Sequence, residues 1–247
     1  MALYDDIRGA PVLITGGANG IGAAMVRAFA GQGARVFFCD VSNEAGKALA
    51  AELGANVAFA RVNLMREAEI ARWIKKVAAR DGIRVLINNA ARDPRMTLDS
   101  MSAADWDDLF AINLRAYFLT AREASPHMKA GASIINFASI TFHQGSTPMS
   151  AYVATKGAVL GFSRSLAREL GPRGIRVNTL SPGWIMTDRQ LREFVTPEAK
   201  RTIRRAQCIP DLLQPEDIAE VALFLASNAS RSITGQELLC DRGWQHS

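Results

Sequence analysis

The stretch "PVLITGGANGIG", residues 11–22, joins a short apolar run to a loop that contains four glycines. The run "PVLIT" has the length and composition of a buried strand, and the apolar spacing after Gly22 is typical of a helix. Gly16 allows a tight turn, Gly20 allows the backbone to approach a bound group closely, and Gly22 allows the helix to pack near the sheet. Because a helix start offers unpaired N–H groups and a positive dipole end, this loop suits a pyrophosphate.

The same alternation of strand and helix patterns continues along the chain. Six further apolar runs are "RVFFCD", "NVAFARVNL", "RVLINNAA", "ASIINFAS", "GIRVNTLSPG" and "QELLCD". The pattern predicts an α/β fold, a single Rossmann-type doubly wound domain whose seven-stranded parallel sheet carries helices on both faces. No linker or repeat divides residues 1–247. The stretch of about residues 184–210 interrupts the rhythm, and we expect it to form a lid over the substrate.

An acidic residue follows the second predicted strand. Asp40 lies 18 residues after Gly22, near the spacing expected for a carboxylate that binds the adenosine ribose of a dinucleotide. Such a carboxylate accepts hydrogen bonds from both ribose hydroxyls and repels a 2′-phosphate. Since the glycine loop contains no Arg or Lys, the sequence predicts NAD as the cofactor rather than NADP.

A tyrosine and a lysine lie one helical turn apart in "SAYVATKGA", residues 150–158. Tyr152 and Lys156 therefore share a helix face, and a lysine beside a phenol lowers the phenol pKa, as does an oxidised nicotinamide ring. Ser139 follows the fifth strand at the sheet edge where ligands bind in open α/β folds. Asn113 stands inside a helical pattern, a position that asparagine does not favour. These four residues are candidates for moving a proton.

Composition excludes several other classes of protein. Hydrophobic residues make up 49% of the 247 residues, but no apolar run reaches the ~18 residues needed to span a membrane. The N-terminus lacks the pattern of a signal peptide, and the three cysteines are scattered without metal-ligand spacing. The net charge of +5 comes without a basic tail or interleaved aromatics. We expect a cytoplasmic protein that binds no metal, membrane or nucleic acid.

The chain resembles a classical short-chain dehydrogenase/reductase over essentially its whole length. The resemblance rests on the proton-moving residues, on Asp40 and on the segments "TGGANGIG", "NNAA", "PGWIMT" and "ITGQELLCDRGW". The resemblance implies that Tyr152 is the general acid/base and that Ser139 orients the reacting oxygen. It implies that Lys156 lowers the tyrosine pKa and holds the nicotinamide ribose, while Asn113 supports a proton-relaying water. It also implies a homotetramer built from the helices of Asn113 and Tyr152 and the C-terminal strand region.

The resemblance also assigns cofactor contacts along the chain, with Ile185 and Thr187 at the nicotinamide carboxamide. The residues implied to bind NAD are Gly16, Asn19, Gly20, Ile21, Gly22, Asp40, Asn63, Leu64, Asn89, Ala90, Tyr152, Lys156, Pro182, Gly183, Ile185 and Thr187. Two positions depart from the family pattern. Asn63 replaces the usual Asp beside the adenine amine, and Ala91 replaces the usual Gly after "NNA".

The segments "INFASITFHQG", "RAQC" and "CDRGW" resemble bacterial sugar dehydrogenases that oxidise aldoses at the anomeric carbon. An NAD-dependent aldose 1-dehydrogenase that yields a lactone is the reading we favour. Its candidate substrate contacts are Arg92, Asp93, Arg95, Ser139, His143, Gln144, Gln190 and Gln207.

Three alternatives stay open at the level of sequence. A dehydrogenase of 2-keto-3-deoxy sugar acids would aim Arg92 or Arg95 at the substrate carboxylate. A ketoacyl reductase would exploit a basic surface, although Asp40 argues against the NADP that such enzymes usually take. A coenzyme-binding member without turnover is disfavoured because the set of proton-moving residues is complete.

Overall fold

Seven parallel strands form one sheet in a computed structural model that describes residues 2–245. The strands are β1 Pro11–Thr15, β2 Arg35–Asp40, β3 Val57–Arg61, β4 Ile83–Asn88, β5 Met128–Phe137, β6 Arg176–Pro182 and β7 Glu237–Cys240. Their order across the sheet is β3-β2-β1-β4-β5-β6-β7, and every neighbouring pair is parallel. The order reverses between β1 and β4, so the carboxyl ends of these two strands border the crevice where open α/β sheets bind ligands.

Ten α-helices cover the sheet in the described part of the chain. They are α1 Gly20–Gly31, α2 Asn43–Leu53, α3 Glu67–Asp81, α4 Ala103–Phe110, α5 Ala116–Ala124, α6 Thr141–Gln144, α7 Ser150–Leu170, α8 Asp188–Glu193, α9 Pro197–Ala206 and α10 Pro215–Ala226. One core cluster joins α1, α2 and α10 to the sheet, and a second joins α3, α5 and α7 to it. The predicted doubly wound α/β fold is confirmed.

The strands form because their side chains are apolar on both faces. All residues of β6 and five of the six residues of β4 are buried, which matches the continuous hydrophobic runs of a sheet covered on both sides. Val12, Ile14 and Ile87 face α1 and α10, whereas Leu13 and Leu86 face α3 and α5. Because all strands are parallel, their carboxyl ends lie together at one edge of the sheet, between the two apolar clusters.

One local prediction needs correction. The helical pattern around Asn113 is divided, because a π-helical turn at Ala111–Arg115 separates α4 from α5. A capping box of Ser102 and Asp105 stands at the start of α4. Ser42 precedes α2 without a side-chain cap, and its N–H donates to Asp40 Oδ1 at 3.0 Å.

The interrupting stretch between β6 and α10 contains the two helices α8 and α9. At its start, Met186 N–H donates to the Leu213 carbonyl at 2.9 Å. At its far end, Cys208 N–H donates to the Arg242 carbonyl at 2.9 Å. The segment is thus attached at both ends, and it follows the carboxyl end of β6. We call residues 184–210 the lid, and their role over a substrate stays a prediction. Every helix in residues 2–245 is too short or too polar to cross a bilayer.

Candidate active site

The glycine loop after β1 is shaped by close backbone contacts. Gly16 has a φ of +67° and Gly20 a φ of +52°, values that favour glycine over other residues. A Cβ on Gly16 would lie 2.8 Å from the Cα of Ala90, and a Cβ on Gly22 would overlap the Gly16 carbonyl oxygen. The loop, the first turn of α1 and the end of β4 therefore fit together only with glycines at these positions.

The first turn of α1 keeps its donors free. Asn19 occupies the N-cap position without a side-chain cap, and the first turn carries no acidic residue. The first N–H groups of a helix have no partner within the helix, so these donors and the dipole end point out of the loop. The end of α1 is suited to an anionic group such as a phosphate.

The carboxylate of Asp40 lies beside the glycine loop, as its spacing indicates. Oδ2 accepts a hydrogen bond from Ala18 N–H at 3.1 Å, and Oδ1 accepts one from Ser42 N–H. A carboxylate has about four lone-pair sites, so each oxygen keeps capacity for a further donor. The geometry leaves a fixed acceptor at the end of β2.

A hydroxyl and an amide fix the small-residue end of β4 to the glycine loop. Thr15 Oγ1 accepts hydrogen bonds from Asn89 N–H at 3.0 Å and Ala90 N–H at 3.2 Å. Asn89 Nδ2 donates to the carbonyls of Thr15 and Gly16, both at 3.0 Å. Asn89 is thus placed at the crevice chiefly by its bonds to the loop.

Tyr152 and Lys156 occupy the first turns of α7, next to the end of β5. Lys156 is 1% exposed, and its ammonium donates to the Phe137 carbonyl at 2.8 Å. Lys156 Nζ lies 5.5 Å from the centroid of the Tyr152 ring. Ser139, 9% exposed, follows the same strand, and its hydroxyl acts to lower the pKa of the Tyr152 phenol. The predicted proton-moving residues are therefore assembled at one place.

Burial works against the charged form of both α7 residues. It raises the pKa of the Tyr152 phenol, the negative charge of Asp93 adds to that rise, and hydrogen bonding to Ser139 opposes it. Burial lowers the pKa of Lys156 to about 7, against the opposing effect of Asp93. In the protein alone, the net effect on the tyrosine pKa is thus upward rather than the lowering expected beside a lysine and an oxidised nicotinamide.

Asn113 connects the loop after β4 to the turn of α7 that carries Tyr152 and Lys156. Its side chain is fully buried, and its amide both accepts from Arg92 N–H and donates to the Arg92 carbonyl, each at 2.9 Å. Nδ2 also donates to Thr155 Oγ1 at 3.2 Å, and Thr155 Oγ1 donates to the Tyr152 carbonyl at 2.7 Å. The π-helical turn presents Asn113 to both partners, which explains its place in a helix.

The lid contacts the loop after β4 through side chains far apart in sequence. Asp93 Oδ1 pairs with the Arg189 guanidinium, and Asp93 Oδ2 accepts from Gln190 Nε2 at 3.2 Å. Gln190 Oε1 in turn accepts from the Trp184 indole at 2.9 Å. We call the set of Asp93, Trp184, Arg189 and Gln190 the latch.

The predicted substrate residues have different surroundings. The Arg95 guanidinium stacks over the Phe194 ring at 4.0 Å from its centroid. His143 Nε2 lies 2.9 Å from Glu237 Oε1, which also accepts from Ser181 Oγ at 2.5 Å. Gln207 is 6% exposed and, in the amide orientation that satisfies its neighbours, donates to two backbone carbonyls. These contacts occupy Arg95, His143 and Gln207 within the protein.

Arg92 and Gln144 keep free polar groups. The Arg92 side chain is exposed, and its backbone alone is held by Asn113. Gln144 Oε1 accepts from Ser146 Oγ at 3.2 Å, whereas its buried Nε2 has no partner among the described residues. Arg92 lies in the loop after β4, and Gln144 lies in the segment after Ser139. Their contact with a substrate stays a prediction.

Comparison with known proteins agrees with this geometry. A family model described as "Enoyl-(Acyl carrier protein) reductase" matches residues 16–245. A probable galactose dehydrogenase of Rhizobium meliloti strain 1021 is 41% identical over 247 residues, covering 97% of this chain and 96% of that protein. The chain belongs to the short-chain dehydrogenase/reductase family. A D-xylose 1-dehydrogenase of Caulobacter vibrioides is 40% identical over 250 residues, covering 99% of both proteins.

Solved structures of this family share the architecture. A Brucella melitensis short-chain dehydrogenase/reductase, described as a glucose/ribitol dehydrogenase, has a TM-score of 0.94 and 28% identity and covers 100% of both chains. A Burkholderia cenocepacia J2315 short-chain dehydrogenase in complex with NADP has a TM-score of 0.90 and 30% identity, covering 96% of this chain and 98% of that one. The protein is an oxidoreductase of a family that works with a nicotinamide coenzyme.

The remaining residues predicted to bind the coenzyme lie just after β3 and at or just after the end of β6. Leu64 and Ile185 are each 4% exposed, and Thr187 caps α8 by accepting from Gln190 N–H at 3.3 Å. Asn63 Oδ1 accepts from Met65 N–H at 3.0 Å. Pro182 ends β6, and a Cβ on Gly183 would lie 3.0 Å from the Asp241 Cα. The glycine-shaped loop, the free helix start and Asp40 together fit a dinucleotide.

Sequence reasoning missed several residues of the site. Arg189, Glu237 and Thr155 were not identified, although each bonds a residue that was. Thr155 carried a usable signal, since it lies three residues after Tyr152 on the same helix face. Arg189 and Glu237 carried no such signal, because their partners lie 96 and 94 residues away in the sequence.

Residues 2–245 contain no cluster of three or more His, Cys, Asp or Glu side chains arranged to hold a metal ion.

Proposed function

We propose that this short-chain dehydrogenase/reductase is an NAD-dependent aldose 1-dehydrogenase, which oxidises the anomeric hydroxyl of a neutral sugar to a lactone. The observation that carries the proposal is the joint placement of Ser139, Tyr152 and Lys156 beside the glycine loop. The choice of substrate is supported by full-length likeness to proteins described as galactose and D-xylose 1-dehydrogenases.

The reaction removes a proton from the anomeric oxygen and a hydride from the anomeric carbon. A bound nicotinamide supplies the chemistry of accepting the hydride. Tyr152 is the residue placed to take the proton, and Ser139, whose hydroxyl acts on the Tyr152 pKa, is placed to orient the substrate oxygen. Asn113 holds the turn that carries Tyr152 through Thr155.

The pKa directions in the protein alone bear on how the tyrosine becomes a base. Burial raises the Tyr152 pKa and lowers that of Lys156 to about 7. A further positive charge near the phenol, such as an oxidised nicotinamide ring, would act in the opposite direction. We propose that Tyr152 becomes an effective base only once the crevice is filled.

The surroundings of Arg95 favour a neutral sugar over a sugar acid, whereas the side chain of Arg92, the second candidate, is exposed. An enzyme for 2-keto-3-deoxy acids needs a guanidinium that meets the substrate carboxylate. Arg95, one of the two candidates, stacks over Phe194 and lies 5.6 Å from the Trp184 ring centroid. Each buried sugar hydroxyl needs a hydrogen-bond partner or loses ~1–3 kcal/mol, and Gln144 retains an unpaired donor.

The choice of NAD rests on Asp40. Its fixed carboxylate suits two ribose hydroxyls and repels a 2′-phosphate, although a related structure holds NADP. Wild type is expected to have a higher kcat/KM with NAD, and Asp40→Ala is expected to weaken NAD and narrow the difference. Faster turnover of wild type with NADP at equal concentrations would overturn this part of the proposal.

We further propose a cytoplasmic homotetramer. Trp106 on α4, Phe118 on α5 and Phe142 on α6 are 40%, 44% and 43% exposed, which suits an apolar contact between subunits. The cysteines at positions 39, 208 and 240 are free, as suits a reducing compartment. Light scattering at micromolar concentration tests the assembly, and a monomer would contradict it.

The proposed function is tested by following coenzyme reduction with a panel of substrates. Galactose, xylose and other aldoses are compared with 2-keto-3-deoxy acids, while acyl thioesters are offered with reduced coenzyme. We expect turnover of at least one aldose, formation of a lactone, and loss of turnover in Tyr152→Phe. Preference for the acids or the thioesters would replace the aldose assignment and leave the oxidoreductase class in place.

A further inference from the structure

Asp93 has a fixed position between the catalytic turn and the lid. Arg92 directly precedes Asp93. The side-chain amide of Asn113 accepts a hydrogen bond from the Arg92 N–H and donates one to the Arg92 carbonyl. The same Asn113 amide is bonded to Thr155, whose hydroxyl is bonded to the Tyr152 carbonyl. The loop that carries Asp93 is therefore attached directly to the turn that carries the catalytic tyrosine.

The carboxylate of Asp93 acts on the catalytic residues through space. Its charge raises the pKa of Tyr152 and also acts to raise that of Lys156, whereas Arg189 acts to lower the pKa of Tyr152. The Asp93 side chain is 18% exposed, so its field is only partly screened by solvent. A substrate whose reacting oxygen meets Tyr152 will therefore experience the charge of Asp93.

Two arginines near Asp93 are engaged within the protein. Arg189 pairs with Asp93 and also donates from Nε to Glu193 Oε2 at 3.0 Å. Arg95 is stacked over Phe194. The side chain of Arg92, which directly precedes Asp93, is exposed to solvent. A carboxylate on the substrate would thus meet the Asp93 carboxylate, and it would have to break an existing contact to recruit Arg189 or Arg95.

We infer that Asp93 is a specificity-determining residue, which makes this site select uncharged over anionic sugars; the inference rests on the proposed oxidation of aldoses. The latch sets the place of the charge, because Arg189 and Gln190 hold the two carboxylate oxygens from the lid. The same carboxylate is an acceptor for hydroxyl groups, so a neutral sugar loses nothing by its presence.

The test uses D-galactose and D-galacturonate, two aldoses that differ only in a neutral or an anionic group at carbon 6. Wild type is expected to favour galactose in kcat/KM. Asp93→Asn is expected to reduce that preference at least ~10-fold, because it removes the repulsion between two like charges at a partly buried site. Asp93→Glu keeps the charge and should keep the preference.

A control variant distinguishes the effect of the Asp93 charge from the effect of breaking an ion pair of Arg189. Glu193→Gln removes the other carboxylate partner of Arg189, on the exposed side of α8, and should leave the preference unchanged. The double variant Asp93→Asn with Arg189→Gln should retain the gain for galacturonate. Loss of that gain would mean that the freed Arg189 binds the anion, and the inference would be overturned.

Two further outcomes would also contradict the inference. An unchanged preference in a folded, active Asp93→Asn enzyme would show that the Asp93 charge plays no part in substrate choice. Turnover of neither sugar by wild type would overturn the proposed function, and with it the inference. The two failures are distinct, because the first leaves galactose oxidation intact.

Discussion

The loop after β1 and the loop after β4 leave adjacent strands at the same sheet edge, but different forces fix them. The first is shaped by backbone contacts between neighbours in sequence, such as the close approach of Gly22 to the Gly16 carbonyl. The second is held by side chains distant in sequence, such as Asn113 on Arg92 and Arg189 on Asp93. The shape of the glycine loop is therefore set largely within one short motif, although Asn89 and Ala90 of the next strand also hold it. The loop after β4 depends on side chains from distant parts of the chain.

The largest expected effect is the loss of turnover when Tyr152, the proposed proton acceptor, is changed. Tyr152→Phe removes the group placed to take the substrate proton, so turnover should fall by ~10²- to 10⁴-fold. Coenzyme affinity should change little, because the glycine loop and Asp40 are untouched. Steady-state rates and a coenzyme fluorescence titration measure the two quantities, and near-normal turnover would assign the proton to another group.

A smaller effect is expected when the close packing between the glycine loop and the first turn of α1 is disturbed. Gly22→Ala adds a Cβ that overlaps the Gly16 carbonyl, so the first turn of α1 must move away from the loop. We expect ~1–3 kcal/mol of lost stability from this overpacking, together with weaker coenzyme binding. Coenzyme titration and urea denaturation measure both effects.

Gly31→Ala is the matched control in the same helix. A Cβ at Gly31 meets no atom within 4 Å, so this variant should bind coenzyme normally and be as stable as wild type or slightly more so. Equal coenzyme affinity in the Gly22 and Gly31 variants would contradict the account of the loop.

The same contrast explains what the sequence predicted. The strands, the helices and the coenzyme loop follow from local patterns, since apolar runs and glycine positions are visible within a few residues. The π-helical turn at Ala111–Arg115 was not predicted, because α4 and α5 together have an ordinary helical pattern. Asp93 and Gln190 were recognised as polar candidates, but their pairing in the latch arises only when the lid folds over the sheet.

A separate prediction concerns the titration of the buried Lys156 side chain. In the folded protein its pKa is lowered from 10.5 to about 7, so the unfolded chain binds one more proton between these pH values. The free energy of unfolding should therefore rise with pH across that window, by up to ~1.4 kcal/mol per pH unit from this group. The raised pKa of Tyr152 acts in the opposite sense only above its ordinary value of 10.0.

Lys156→Met lacks the titrating group and provides the comparison. We expect the stability of wild type relative to this variant to increase between about pH 7 and about pH 10, measured by urea denaturation without coenzyme. A difference independent of pH would show that Lys156 stays protonated in the folded protein.

The most direct measurement follows the hydrogen at the anomeric carbon. D-Galactose or D-xylose carrying deuterium at carbon 1 is incubated with the enzyme and NAD, and the reduced coenzyme and the sugar product are examined by mass spectrometry. The account predicts one deuterium in each reduced coenzyme and a lactone, or the acid formed by its hydrolysis, without the label. Reduced coenzyme without deuterium, or a product that retains it, would contradict oxidation at the anomeric carbon.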